Sequence, residues 1–115
     1  VGDLNIAPLP EDVWDHKKMV KTVSHTQIEI DHLDAVQGVG NWVDVTRKDI
    51  PAEKLYSWWS YRAKDWSTSD RGRRLDHIWA SADIALHTGG SRILREVRSW
   101  ERPSDHVPVL ATIDL

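Results

Sequence analysis

SDHVPVLATI, residues 104–113, places an acid and a histidine between Pro103 and Pro108 and runs straight into an apolar stretch. The alternation predicts a terminal strand over 107–115. The two prolines restrict the backbone before it, so Asp105 and His106 sit on a stiff loop at the start of a core strand. Three other Asp-His pairs occur, at 15–16, 31–32 and 76–77. The first two fall on predicted amphipathic helices, where a solvated face accounts for them. The third falls in RLDHIWAS (74–81), which reads as a strand with Asp76 between apolar Leu75 and Ile78. His77 reads as strand filler. A half-buried carboxylate is costly without a partner, so Asp76 requires one: the His106 imidazole, or a salt bridge to Arg73 or Arg74.

Outward from these strings, the chain divides into short elements. Residues 1–6 read as a strand end stopped by Pro8 and Pro10. Residues 11–22 are weakly helical. Thr26 and Glu29 form a T-x-x-E capping box that opens a helix. Ile30, Leu33 and Val36 share one face of that helix, and Gly38 and Gly40 end it. WVDVT (42–46) reads as a strand, 47–54 as a loop, LYSWWSY (55–61) as strand-like and 62–74 as a long polar loop. A short helix near 82–87, a break at Gly89-Gly90 and a strand over 92–100 complete the reading. Strands outnumber helices, which predicts an α/β (α+β) layered domain with a mixed, mostly antiparallel sheet and flanking helices.

Composition narrows the functions. The chain has 115 residues, enough for one small domain or part of a larger one, and a net charge of -3. The charge is uneven: residues 1–44 carry eight acids against three lysines, whereas 62–74 carry Arg62, Lys64, Arg71, Arg73 and Arg74 against Asp65 and Asp70. Seven Trp and no Phe put tryptophans beside that basic patch. Cysteine is absent, which excludes disulfides and thiolate metal sites and fits a reducing cytoplasm. No apolar run reaches the roughly 18 residues that a membrane helix needs. Zinc spacings such as H-E-x-x-H, Gly-rich phosphate loops and the G-x-S-x-G elbow are all missing.

GDLN, residues 2–5, supplies the second chemical cluster. Residues i and i+2 of a strand share a face, so Asp3 and Asn5 point together while Leu4 and Ile6 point inward. A carboxylate beside a carboxamide is a hard-oxygen donor set, suited to Mg²⁺ and an attacking water. The plainer reading is an Asx turn leading into Pro8. His106, held in one tautomer by a carboxylate, could donate a hydrogen bond to a phosphoryl oxygen.

Taken together and in order, GDLNIAP, WWSYR, RGRRLDHIWAS and ERPSDHVPV closely resemble the C-terminal half of the exonuclease III family. That family belongs to the endonuclease/exonuclease/phosphatase superfamily, in which deoxyribonuclease I is a distant relative. WWSYRAKDWSTSDRGRRLDHIWAS narrows the likeness to the exonuclease III type and to its bacterial members, whose place is the cytoplasm. The resemblance implies half of a four-layer α/β sandwich, spanning 1–115. It implies a Mg²⁺-dependent enzyme, with Mn²⁺ as a substitute. Its partner would be duplex DNA, cut 5′ to abasic sites or degraded from 3′ ends, with 3′ phosphates removed. By this resemblance Asp3 activates the water and Asn5 binds a phosphoryl oxygen or metal. Asp105 is a metal-linked carboxylate, His106 contacts the scissile phosphate, and Asp76 orients it. Trp58, Arg62, Lys64 and Arg73 fall in the DNA-contacting segment. Trp58 is expected to face DNA and Trp59 to be packed, because adjacent strand residues point to opposite sides.

The family's first half supplies a metal-binding Glu, an Asn and a Tyr that nothing in this chain matches. The expectation is a fragment inactive alone, with an exposed apolar face where an N-terminal half would pack. Two rivals remain: a phosphatase or phosphodiesterase of the same fold, and a non-catalytic Trp-rich binding module for sugars or nucleic acid. The basic, aromatic 58–74 segment favours DNA.

Overall fold

The longest helix begins where its capping box does. In the computed structural model, which describes residues 1–115, Thr26 Oγ1 donates to Glu29 Oε1 at 2.6 Å, and the Ser24 N–H donates to the same carboxylate. Helix α2 follows (Gln27–Val39), ending at Gly40. Leu33 is buried and Ile30 half-buried, but Val36 is 59% exposed, so the apolar stripe is only partly covered.

The other elements are short: β1 (Gly2–Asp3), a 3-10 turn (Pro10–Asp12), α1 (His16–Met19), β2 (Val43–Asp44), α3 (Val45–Asp49), α4 (Trp66–Ser69), β3 (Asp76–His77), β4 (Trp79–Ala80), α5 (Ala82–Ala85), β5 (Thr88–Ile93), a second 3-10 turn (Arg95–Ser99) and β6 (Val109–Ile113). Strands pair as β1–β3, β2–β4 and β5–β6, all antiparallel. The helices and antiparallel ladders match the expected fold class. No strand pair is parallel, and the three two-stranded pairs do not join into one mixed sheet.

Several local expectations are corrected. The strand over 42–46 is only Val43–Asp44; the Asp44 carboxylate then accepts the Arg47 N–H at 3.2 Å and starts α3. Capping overrides the β-propensity of Val45 and Thr46. The 11–22 helix is a 3-10 turn and the four-residue α1, with Asp15 as N-cap. Gly89 and Gly90 lie inside β5, where a bulge absorbs Gly90 at φ +62°. Residues 92–100 leave the strand after Ile93 and form the second 3-10 turn. LYSWWSY forms no regular strand. Trp58 instead makes single-residue antiparallel bridges to Arg73 on one side and His106 on the other.

The interior holds as many polar as apolar residues: ten buried side chains of each kind. One apolar cluster is Ala7, Val13, Met19 and Leu75, and another is Tyr56, Trp59 and Val107. Between such small cores, cohesion falls to a buried ion network. Asp12, 0% exposed, accepts from Arg47 (Nη2, 2.6 Å) and Arg74 (Nε, 2.6 Å). Arg74, also 0% exposed, reaches Asp44 Oδ2 at 2.7 Å with its other arm. The network fastens the strand that carries Asp76 to the start of the chain and to the β2–α3 corner. An apolar groove of about 450 Å³ is lined by Val1, Trp42, Ile78, Trp79, Ile84 and Ile113 among others.

Candidate active site

β1 and β3 place the acids. Asp3 and Asp76 are register partners in the antiparallel pair, and directly opposed residues present their side chains on one face. The Leu4 N–H continues the ladder to the Leu75 carbonyl at 3.0 Å. The histidine arrives from the other end of the chain. Val107 N–H donates to Ser57 O at 2.9 Å, and Trp58 bridges to His106. His106 Nδ1 lies 2.8 Å from Asp76 Oδ2, and His106 Nε2 lies 3.6 Å from Asp3 Oδ2. One donor atom from each of Asp3, Asp76 and His106 falls within 4.8 Å of the others. Arg74 is committed to Asp12 and Asp44, and Arg73 bonds Val23 O and Ser24 Oγ, so neither takes Asp76.

Electrostatics follow from this packing. Burial pushes the His106 imidazole down, but the hydrogen bond and charge of Asp76, with Asp3 and Asp105 adding, outweigh it and leave the group above its ordinary value. The Asp76 carboxylate accepts the Nδ1–H, which turns Nε2 toward Asp3 and solvent. A cation between two carboxylates also relieves their mutual repulsion. Since the folded value is raised, this pairing stabilises the protein fully below the unfolded imidazole value of about 6.5 and is lost as pH rises through the folded value. The stability difference between wild type and Asp76→Asn should therefore be largest near pH 6 and shrink at higher pH. Urea unfolding across a pH series measures it, and a pH-independent difference would contradict the pairing.

Asn5 follows Asp3 by two residues but lies beyond the strand, so the expected strand face shared with Asp3 does not form, and Leu4 is 38% exposed rather than inward. Asn5 donates its N–H to Asp3 Oδ1 at 2.9 Å, and its φ is 57°, a left-handed geometry that Asn tolerates. The Asx turn thus forms, and it occupies one Asp3 oxygen while leaving the other free. Asp105 is half-buried, and its Oδ2 accepts the Trp58 indole N–H at 3.0 Å. Trp58 is half-buried, with the Arg73 guanidinium 5.0 Å from its ring centre, while Trp59 is 1% exposed. Arg62 and Lys64 are exposed, and no contact ties them to the histidine. The side chains whose donor atoms lie within 4.8 Å of one another are Asp3, Asp76 and His106; Asp105 is not in that group. Oxygen donors such as Asp3, Asp105 and the Asn5 carboxamide suit Mg²⁺ by chemistry but are too few to complete an octahedron without water or other groups.

Ser57 was not singled out by its sequence. Its fully buried Oγ accepts the N–H groups of Leu75 (3.0 Å) and Asp76 (3.1 Å), while its carbonyl takes Val107. One residue thereby joins the Asp76 strand to the His106 loop. The only local signal was a hydroxyl inside an aromatic run. His25 was likewise missed. It is buried, with Nδ1 2.6 Å from Ala7 O and Nε2 2.7 Å from His16 Nδ1, and it braces the segment after Asn5.

A family model described as "Endonuclease/Exonuclease/phosphatase family" matches residues 1–106. Exodeoxyribonuclease III of Haemophilus influenzae is 29% identical over 117 residues, covering 96% of this chain and 43% of the relative. An AP endonuclease from Archaeoglobus fulgidus superposes with a TM-score of 0.93 at 32% identity, covering 98% of this chain and 44% of the other. A 3′ phosphatase from Neisseria, solved bound to a product DNA hairpin, gives 0.91 at 32% identity, with 98% and 43% coverage. This chain therefore spans less than half the length of these relatives.

Proposed function

Since the chain belongs to the endonuclease/exonuclease/phosphatase family, we propose that its Asp3–Asp76–His106 group hydrolyses phosphate esters at damaged or terminal positions of duplex DNA, in the manner of an exodeoxyribonuclease III. The observation that carries this reading is the histidine bonded to Asp76 at 2.8 Å with its second nitrogen 3.6 Å from an exposed Asp3. In-line attack on a phosphodiester needs a base, a cation and donors toward developing negative charge. Asp3 accepts the proton of the attacking water. His106, charged and oriented by Asp76, donates from Nε2 to a phosphoryl oxygen. The phosphorus–oxygen bond to the 3′ oxygen breaks as the water oxygen bonds to phosphorus, the departing 3′ oxygen takes a proton from solvent, and Asn5 donates to the phosphoryl group. Asp3, Asp105 and Asn5 would hold Mg²⁺, which, when bound, supplies Lewis-acid stabilisation of that charge.

Cutting 5′ to abasic sites, trimming 3′ ends and removing 3′ phosphates all share this chemistry. We place the duplex along the segment that runs from Trp58, which bridges to His106, through the exposed Arg62 and Lys64 to Arg73. We further propose that a preceding half, packed on the apolar groove at Trp42, Trp79 and Ile113, supplies the remaining metal ligands and the other wall of the DNA groove.

The test pairs this chain with such a half and offers three substrates: a duplex with one abasic site, a duplex with a 3′ phosphate and a simple phosphate ester. Cleavage of both duplexes, abolished by EDTA, is expected; turnover of the simple ester alone would move the reading to a general phosphatase. In the same assay Trp58→Ala should lower abasic-site cleavage about tenfold or more, the scale of a lost base-stacking contact of roughly 1–3 kcal/mol. Turnover of the simple ester should fall by less, because only the duplex presents bases to the ring. Equal losses on both substrates would remove the ring from DNA recognition.

A further inference from the structure

Trp58 does more than lie beside the site. Its indole N–H is the donor that meets Asp105 Oδ2, at 3.0 Å. The next residue holds the same aspartate by its backbone: the Trp59 N–H donates to the Asp105 carbonyl, also at 3.0 Å. The ring that carries the N–H has little freedom. Its backbone bridges Arg73 and His106, its face meets the Arg73 guanidinium at 5.0 Å, and it packs on the Ala7–Val13–Met19–Leu75 cluster. A carboxylate has four acceptor directions, and indole has one donor. A fixed donor on one oxygen therefore selects the carboxylate's rotamer and leaves the second oxygen for another ligand. Hydrogen bonds to an ionised acceptor are the stronger class, so the restraint is effective even at a half-buried position.

We propose that Trp58 is the positioning residue of Asp105, its indole N–H setting the direction in which the aspartate's second oxygen is presented. The consequence for metal binding rests on the reading of Asp105 given above; the positioning itself does not. The geometry separates two properties of one side chain. Phe at position 58 would keep an aromatic ring against Arg73 and the core but remove the donor.

Nuclear magnetic resonance on this chain tests the proposal without any activity. Among the seven indole N–H signals, the one lost in Trp58→Phe belongs to Trp58. It should exchange slowly with solvent and move strongly in Asp105→Ala. In Trp58→Phe the Hα–Hβ couplings of Asp105 should collapse from a single-rotamer pattern to averaged values while the remaining spectrum stays native. An indole signal unmoved by Asp105→Ala, or Asp105 couplings unchanged in Trp58→Phe, would overturn the proposal. Asp105→Ala keeps the test decisive if Trp58→Phe fails to fold. A Mn²⁺ titration followed by electron paramagnetic resonance adds a separate arm. Partners that orient a metal ligand are worth about 10–100-fold in affinity, so Trp58→Phe should weaken Mn²⁺ binding about tenfold or more. Freed Asp105 couplings with unchanged Mn²⁺ affinity would leave the positioning standing and overturn the metal-linked role of Asp105.

Discussion

Asp12→Ala should destabilise the chain by about 3–5 kcal/mol, the cost of removing one partner from a buried ion network. Arg47 and Arg74 both converge on the Asp12 carboxylate, with donor distances from 2.6 to 3.2 Å. The Leu9 N–H also donates to it, at 3.0 Å. Ala would leave two buried guanidiniums, Arg74 with only Asp44 and Arg47 with only the Ile50 and Glu53 carbonyls. Small domains are stable by about 5–15 kcal/mol in total, so the variant should be largely unfolded or strongly weakened. Urea unfolding measures the loss, and a change under about 1 kcal/mol would show that the network is not what holds the 73–76 segment. The result bears on the site as well, because Asp76 follows Arg74 by two residues and relies on the same anchoring.

The second large effect is chemical. In a protein that carries both halves, His106→Ala should lower abasic-site cleavage by about 10²–10³-fold, the scale seen when one donor to a developing negative charge is removed. Asp76→Asn should fall with it. An Asn side chain carries no charge to hold the imidazole in its charged form, so Nε2 would donate from a neutral ring and stabilise the developing negative charge less. Both variants should retain native unfolding midpoints to within the modest contribution of a partly exposed pair. Single-turnover rates within threefold of wild type in either variant would remove the histidine from the reaction.

Much of the site was legible in sequence because its chemistry lies in contiguous strings. GDLN, RLDHIWAS and SDHVPV each hold their candidate groups within a few residues, but strand periodicity misled at GDLN, where the strand ends at Asp3, Asn5 turns to φ 57° and Leu4 is 38% exposed. The α2 start was legible for the same reason, since Thr26 and Glu29 form their bonds locally. What was hidden is long-range. Asp12 sits in a weakly helical string, and its partners Arg47 and Arg74 lie 35 and 62 residues away. Ser57 is a small hydroxyl in an aromatic run, and only the folded chain brings the Leu75 and Asp76 N–H groups to it. The short elements went astray where one local bond changed the outcome. Asp44 capped a helix at residues with strand propensity, and Gly90 made a bulge where a glycine pair read as a break.

The central claim is that this chain contributes one part of a phosphodiesterase site, with Asp3, Asp76 and His106 as its working groups and further ligands supplied from outside it. The direct measurement is Mg²⁺-dependent cleavage of a duplex with one abasic site by the chain alone, by the chain mixed with a separately expressed N-terminal half, and by that mixture carrying His106→Ala. Ligand displacement by as little as about 1 Å can cost on the order of a hundredfold in rate, so the chain alone should be nearly silent. The mixture should cleave, and His106→Ala should abolish the gain. Robust cleavage by the chain alone would contradict the account of the outside ligands, and a mixture indifferent to His106→Ala would contradict the site itself.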